Sequence, residues 1–254
     1  MNIYMRKNKI IEELILLNSL SNLSTASTEK MRSIVSFLCE DCGQIDRSFN
    51  DNLQHDAGEF LISMFEHLFE DPVTSDHIDE KIFGGLYQEK IICTCGKVKE
   101  LPVHKLSEIL TVQLHGPSIQ SCINDFFDNE EVNQSCINCK NKKAIKSIKI
   151  VTEPATLILQ LKRYKYDVDK GKAIKLDDTI KCPKSLTMPS GSSYTLSAIV
   201  NHIGDTPTDG HYNVLIYDRI ADSFVLLDDL NVSYNVGLSS KTSTLCYIVS
   251  YTKD

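Results

Sequence analysis

Two stretches of the chain hold side chains whose types and spacing point to acid–base chemistry. Asp209-Gly210-His211-Tyr212-Asn213-Val214-Leu215-Ile216-Tyr217 and Ser223-Phe224-Val225-Leu226-Leu227-Asp228-Asp229 are apolar runs on either side of a short polar turn, a hairpin signal. With Tyr217 opposite Ser223, His211 falls opposite Asp229 and beside Asp228. A slip of one residue sets Asp228 directly opposite and exchanges the facing side chains. Either register brings an imidazole within reach of a carboxylate. Such a ring can take a proton from a nucleophile while the acid fixes its tautomer and stabilises the imidazolium. The same pair also serves as a purely structural ion pair at a sheet edge. Gly210 would let a substrate backbone pass close to the ring.

A second chemistry belongs to the cysteines. Cys136 and Cys139 stand in C-x-x-C spacing within a turn rich in Asn and Lys, which can direct two thiolates to one tetrahedral ion. Cys93 and Cys95, in C-x-C spacing, sit at a hairpin tip marked by Gly96. Together they offer the four thiolates of a zinc ribbon, although the first knuckle is one residue short. The alternative is a ribbon without its ion, its cysteines packing as small apolar residues. Cys39 and Cys42 repeat the C-x-x-C spacing with no second pair near them, and read as ordinary helix-end cysteines.

The elements that must position these groups differ along the chain. Residues 1 to about 75 read as helical: Ile10, Ile11, Leu14, Leu17 and Leu20 recur at helical spacing, and Thr28 opens a second helix through Met31, Ile34, Val35 and Leu38. A third starts near Gln54 and ends before Pro72, with Asp56 and Glu59 in its first turn, where acids complement the helix dipole. Residues 76–150 become strand-like: Leu86–Ile92 returns through Val98–Val103, Ser118–Phe127 forms a short helix, and 135–140 is a tight turn. From 151 to 254 the strands are clearest, over 156–161, 194–200, 212–217, 224–227 and 245–249. No repeat or low-complexity linker intervenes, so one α+β domain with an extended insert is expected.

Composition narrows the classes. A 42 % apolar content is that of a globular chain, and a formal charge of −7 argues against a nucleic-acid backbone as partner. The longest apolar run near the start, Ile10–Leu17, is broken by Glu12 and Glu13, so no membrane span is expected. No cleavable secretory segment is visible at the start, and the nine cysteines are an odd number. Reduced thiols in the cytoplasm or nucleus are therefore expected.

Several segments together resemble the ubiquitin-specific proteases. Gln54-His55-Asp56-Ala57-Gly58-Glu59-Phe60-Leu61 is similar to their Q-x-D-A-x-E-F-L box, and Pro154–Tyr164 to their P-x-x-L-x-x-x-L-K-R-F box. Tyr194-x-Leu196-x-Ala198-Ile199-Val200-Asn201-His202-Ile203-Gly204, followed by Gly210-His211-Tyr212, resembles their histidine box, and Leu227-Asp228-Asp229 its companion acid. The boxes occur in the family's order over about residues 50 to 250. The resemblance implies a papain-like fold of thumb (1–75), fingers (76–150, with the cysteine pairs) and palm (151–254). It implies His211 as general base, Asp228 as its orienting acid, and Gln54 and Asp56 as residues that hold ubiquitin, Asp56 at the arginine-bearing tail. The loop from Gly204 to Asp209 would flank that tail. Zinc is the implied cofactor of Cys93, Cys95, Cys136 and Cys139, and ubiquitin or ubiquitinated proteins the implied partner.

One box is not found. The family's G-N-T-C-type segment, with the nucleophile and an oxyanion-stabilising Asn, does not occur ahead of Gln54, and Cys39 and Cys42 lie too close to Gln54 and follow a helix. The expectation is an N-terminally incomplete deubiquitinase domain that hydrolyses isopeptide bonds once completed. An inactive, ubiquitin-binding scaffold is the alternative, and a zinc-ribbon module unrelated to ubiquitin a third reading.

Overall fold

The computed structural model describes residues 54–70, 82–169, 171–206, 209–238 and 244–254. The first two expected helices and the Cys39/Cys42 pair lie outside these residues. The chain divides into two compact units, 1–79 and 80–254.

In the first unit the third expected helix is present as α1, Ala57–Glu70. Asp56 caps it: its Oδ1 accepts from the amides of Gly58 (2.8 Å) and Glu59 (3.0 Å), donors that a helix start leaves unsatisfied.

The second unit is mostly strand. β1 (Gly85–Cys93) and β2 (Val98–Leu106) form the expected hairpin. They join β5 (Lys143–Thr152) and β4 (Glu130–Asn133) in a four-stranded sheet of order β2-β1-β5-β4. This is the sheet expected as fingers. Its tip turns on Gly96, whose φ of +81° suits a residue without Cβ.

The larger sheet runs β13-β12-β11-β10-β14-β6-β3. Its strands are β3 (Ile109–Gln113), β6 (Thr156–Lys162), β10 (Ser193–Thr206), β11 (Asp209–Asp218), β12 (Ser223–Asp228), β13 (Asn231–Val236) and β14 (Cys246–Lys253). β9 (Ser185–Thr187) adds to β10, and a separate two-stranded hairpin pairs β7 (Tyr164–Asp167) with β8 (Lys172–Lys175). Leu157, Leu159 and Leu161 alternate along β6 and pack with α2 (Ile119–Phe126), whose Ile119, Cys122 and Ile123 are buried. Burying each such side chain is worth about 1.5–3 kcal/mol, so this layer is the scaffold on which β10–β12 rest. Ser118 caps α2 by accepting from the Ser121 amide.

The hairpin register differs from both expected ones. Tyr217 pairs with Phe224 and Val214 with Leu227, one residue beyond the first expectation. The cause is the turn. Asp218 Oδ1 accepts from the amides of Ile220 (2.9 Å) and Ala221 (3.1 Å), and Asp222 takes φ +51°, so Asp218 pairs with Ser223 across a full four-residue loop. β10 also runs past the expected Val200 to Thr206, because its polar end, Asn201–Thr206, hides the alternation.

Candidate active site and metal centre

Strand register places the histidine and its acid. Leu215 pairs with Leu226, so Asn213, His211 and Asp228 share their face of the sheet, and Asp228 is the diagonal neighbour of His211. His211 Nε2 lies 2.5 Å from Asp228 Oδ1. Both side chains are partly open, 41 % and 37 % exposed, so a reactant can reach them. With Nε2 held by the acid, Nδ1 is the nitrogen left to exchange a proton; it has no hydrogen-bond partner among the described residues. The hydrogen bond to Asp228 raises the His211 pKa above the ordinary histidine value. Partial burial opposes this, and the charges of Asp228 and Asp229 add to it.

The sign matters for stability. A raised folded-state pKa contributes stability fully below the unfolded value near 6.5, and that contribution fades as pH rises through the higher folded value. Asp228→Asn is therefore expected to move the His211 midpoint down toward an ordinary histidine, read by NMR titration of the imidazole C–H signals. Asp229→Asn should move it less, since Asp229 acts through space alone. Equal effects of the two variants would contradict the hydrogen bond as the leading cause.

Gly210 meets a close approach from the protein itself. A Cβ there would lie 2.5 Å from His202 Nε2 and 2.6 Å from the Ile203 carbonyl, so the close approach is made by the protein's own interior. His202 itself is 1 % exposed and sits among Tyr164, Tyr212 and Tyr247, with ring centroids 4.8–6.2 Å away. The sequence signal for this cluster was the histidine of the Asn201-His202-Ile203-Gly204 segment. Gln54 and Asp56 belong to the helical unit, where Asp56 serves as the α1 cap. A groove of about 630 Å³ lies elsewhere, lined by Tyr87, Glu89, Lys105, Phe126, Lys146 and Ile148 among others; neither His211 nor Asp228 lines it.

The cysteines converge as expected. β1 and β5 pair up to Cys93 opposite Ala144, which sets the Cys93–Gly96 turn beside the 136–140 turn. All four sulfurs lie within 4.8 Å of one another, with Cys93–Cys139 at 3.5 Å and Cys95–Cys136 at 3.7 Å. Tetrahedral ligation at about 2.3 Å per bond requires sulfurs about 3.8 Å apart, so the short C-x-C knuckle still delivers both thiols. The Lys97 amide, helped by the Asn138 side chain, lowers the Cys95 pKa to about 6. Backbone amides of Cys139 and Asn138 lower that of Cys136. At Cys139 the Asn141 amide favours the thiolate, but the neighbouring sulfurs outweigh it and hold the thiol up to about 12. Amides aimed at sulfurs that repel one another's charge form a donor set fitted to a cation.

The second unit thus combines a hairpin that holds a half-exposed imidazole on a carboxylate with a sheet tipped by four cysteines. The chain belongs to the ubiquitin carboxyl-terminal hydrolase family, whose model matches residues 3–251. It is 26 % identical over 208 residues to probable ubiquitin carboxyl-terminal hydrolase 8 of Schizosaccharomyces pombe, covering 78 % of this chain and 45 % of that one. It is 31 % identical over 199 residues to ubiquitin carboxyl-terminal hydrolase 48 of Gallus gallus, covering 70 % and 19 %. Among solved structures, the SAGA Ubp8/Sgf11/Sus1/Sgf73 DUB module bound to ubiquitin aldehyde matches with a TM-score of 0.74 at 23 % identity, covering 87 % of this chain and 54 % of that one. The fold is thus the papain-like one of the ubiquitin-specific proteases, and the chain spans about half the length or less of these relatives. No helix among the described residues is long and apolar enough to cross a membrane.

Proposed function

We propose that this chain binds ubiquitin and supplies the general base and its orienting acid to a cysteine isopeptidase. The observation that carries this is the 2.5 Å contact of His211 Nε2 with Asp228, which leaves Nδ1 to face a thiol. In the reaction, Nδ1 takes the thiol proton, and the thiolate attacks the carbonyl carbon at the ubiquitin C-terminus. The imidazolium, stabilised by Asp228, returns the proton to the leaving lysine amine, and water then hydrolyses the thioester. The raised His211 pKa favours this charged intermediate state. Residues 1–75 form the thumb in this reading, with Gln54 and Asp56 holding the ubiquitin tail, and the loop from Gly204 to Asp209 flanks the tail as it enters. Cys93, Cys95, Cys136 and Cys139 would hold zinc, which would join the two finger turns.

A second reading has its own support: no Asn-Thr-Cys segment occurs in the 254 residues. In that reading the chain grips ubiquitin without cleaving it. Native mass spectrometry with ubiquitin, free and as an electrophilic C-terminal probe, tests both. The expected outcome is a complex with ubiquitin, one zinc per chain that is lost in Cys136→Ser, and no covalent adduct at any of the nine cysteines. An adduct would show that a thiol in this chain reacts after all. Absence of any ubiquitin complex from the folded chain would remove both readings.

A further inference from the structure

We propose that Lys175 is a positioning residue for the histidine–aspartate pair: its ammonium group, reaching across from the β7–β8 hairpin, ties down the end of β10 and so fixes the strand opposite His211. The inference rests on His211 being the base of the proposed reaction.

Lys175 Nζ lies 2.8 Å from the carbonyl of His202, 2.8 Å from that of Gly204 and 3.4 Å from His202 Nδ1. An ammonium has three donors and no acceptor, so the two carbonyls take two of them while the third lies near Nδ1. Tyr164 reaches the same place. Its hydroxyl lies 2.6 Å from His202 Nδ1 and 3.3 Å from the Thr206 carbonyl. Tyr164 and Lys175 are direct cross-strand partners on β7 and β8, so one small hairpin presents both.

The end of β10 needs such ties. Pairing with β11 is regular as far as Ile203 opposite His211, then slips before Thr206 opposite Asp209. A slip disrupts the ladder, and buried carbonyls left without a donor are costly. The two carbonyls that Lys175 holds belong to residues 202 and 204. They flank Ile203, the residue cross-strand from His211. The clamp therefore acts on the backbone segment paired directly with His211.

Holding a cation here has a cost. Burial and the nearby Arg163 charge both push the Lys175 pKa down. A solvated lysine elsewhere on the hairpin would avoid that cost, and Lys172, on the same strand, is exposed.

The charges that act on His211 are those of Asp228 and Asp229. Removing a positive charge by itself would raise a histidine pKa, whereas loosening the His211–Asp228 contact would lower it. The two causes have opposite signs. The test is NMR titration of the His211 imidazole in the full chain, with Asp228→Asn as the reference for complete loss of the contact. Lys175→Met is expected to lower the midpoint, in the same direction as Asp228→Asn but by less, and Lys175→Arg, which keeps charge and donors, to restore much of it. An unchanged or raised midpoint in Lys175→Met overturns the proposal. Should that variant fail to fold, Lys175→Ser carries the test: its short side chain cannot reach the two carbonyls, so an unchanged midpoint there is equally fatal. The titration needs no ubiquitin, so failure of ubiquitin binding and failure of the clamp are read in separate experiments.

Discussion

Replacing Arg163 with leucine is expected to cost about 3 kcal/mol or more of folding stability, read as a lower midpoint in urea denaturation. Arg163 is 0 % exposed. Its Nε donates to the Cys246 carbonyl at 2.5 Å, and one terminal nitrogen donates to the carbonyls of Leu176 (3.0 Å) and Asp178 (2.9 Å). One guanidinium thus joins the end of β6 to the start of β14 and to the segment after β8. Leucine would leave these acceptors without their donor, at about 1–3 kcal/mol for each that stays dry. Burial pushes the Arg163 pKa down, opposed by Cys246, Cys182, Asp178 and Asp177; the residue nevertheless stays charged, because its ordinary value is so high. Lysine at this position keeps the charge but not the planar fork, so Arg163→Lys should fall between wild type and Arg163→Leu. A leucine variant within about 1 kcal/mol of wild type would mean that water reaches the carbonyls.

The second large effect is expected at Gly210. Gly210→Ala places a methyl against His202 Nε2 and the Ile203 carbonyl, both closer than real Cβ contacts allow. Neither obstacle moves cheaply: His202 is buried among tyrosines and held at Nδ1, and the carbonyl belongs to a paired strand. Overpacking of this kind costs about 1–3 kcal/mol or more. The strain falls on the residue next to His211, so the urea midpoint and the His211 titration midpoint should fall together. Loss of stability with an unchanged titration would place the relaxation on the β10 side of the turn.

The histidine–aspartate pair was legible because two apolar runs around a polar turn leave few ways to pair, and both expected registers brought a carboxylate to His211. The observed register was not, since it depends on Asp218 accepting two amides and on Asp222 adopting a left-handed backbone, a choice the composition of the turn does not dictate. The cysteine cluster could be read from spacing alone, although the C-x-C knuckle looked defective; the amides around the sulfurs make it fit. Lys175 was not singled out by the sequence, and Tyr164 only as the last residue of a box, for a plain reason. Their hairpin is short, polar and charged, Tyr164–Asp167 and Lys172–Lys175, so its sequence resembles a surface loop, and its contacts are with a strand some thirty residues away. β13 escaped too, because Asn231-Val232-Ser233-Tyr234-Asn235-Val236 is an exposed edge with little apolar content to mark it.

The Asp218–Ser223 turn bears on how this sequence can drift over generations. Substitutions within Arg219, Ile220 and Ala221 leave strand pairing untouched, because the turn is held by Asp218 and by the backbone at Asp222. Gaining or losing a single residue there is another matter: β12 would slide by one and turn the face that carries Asp228 away from the imidazole, leaving Asp229 as the acid on that side. Keeping the contact of His211 with Asp228 thereby confines the chain to one spacing between the two, while Arg219, Ile220 and Ala221 at the turn remain free to vary.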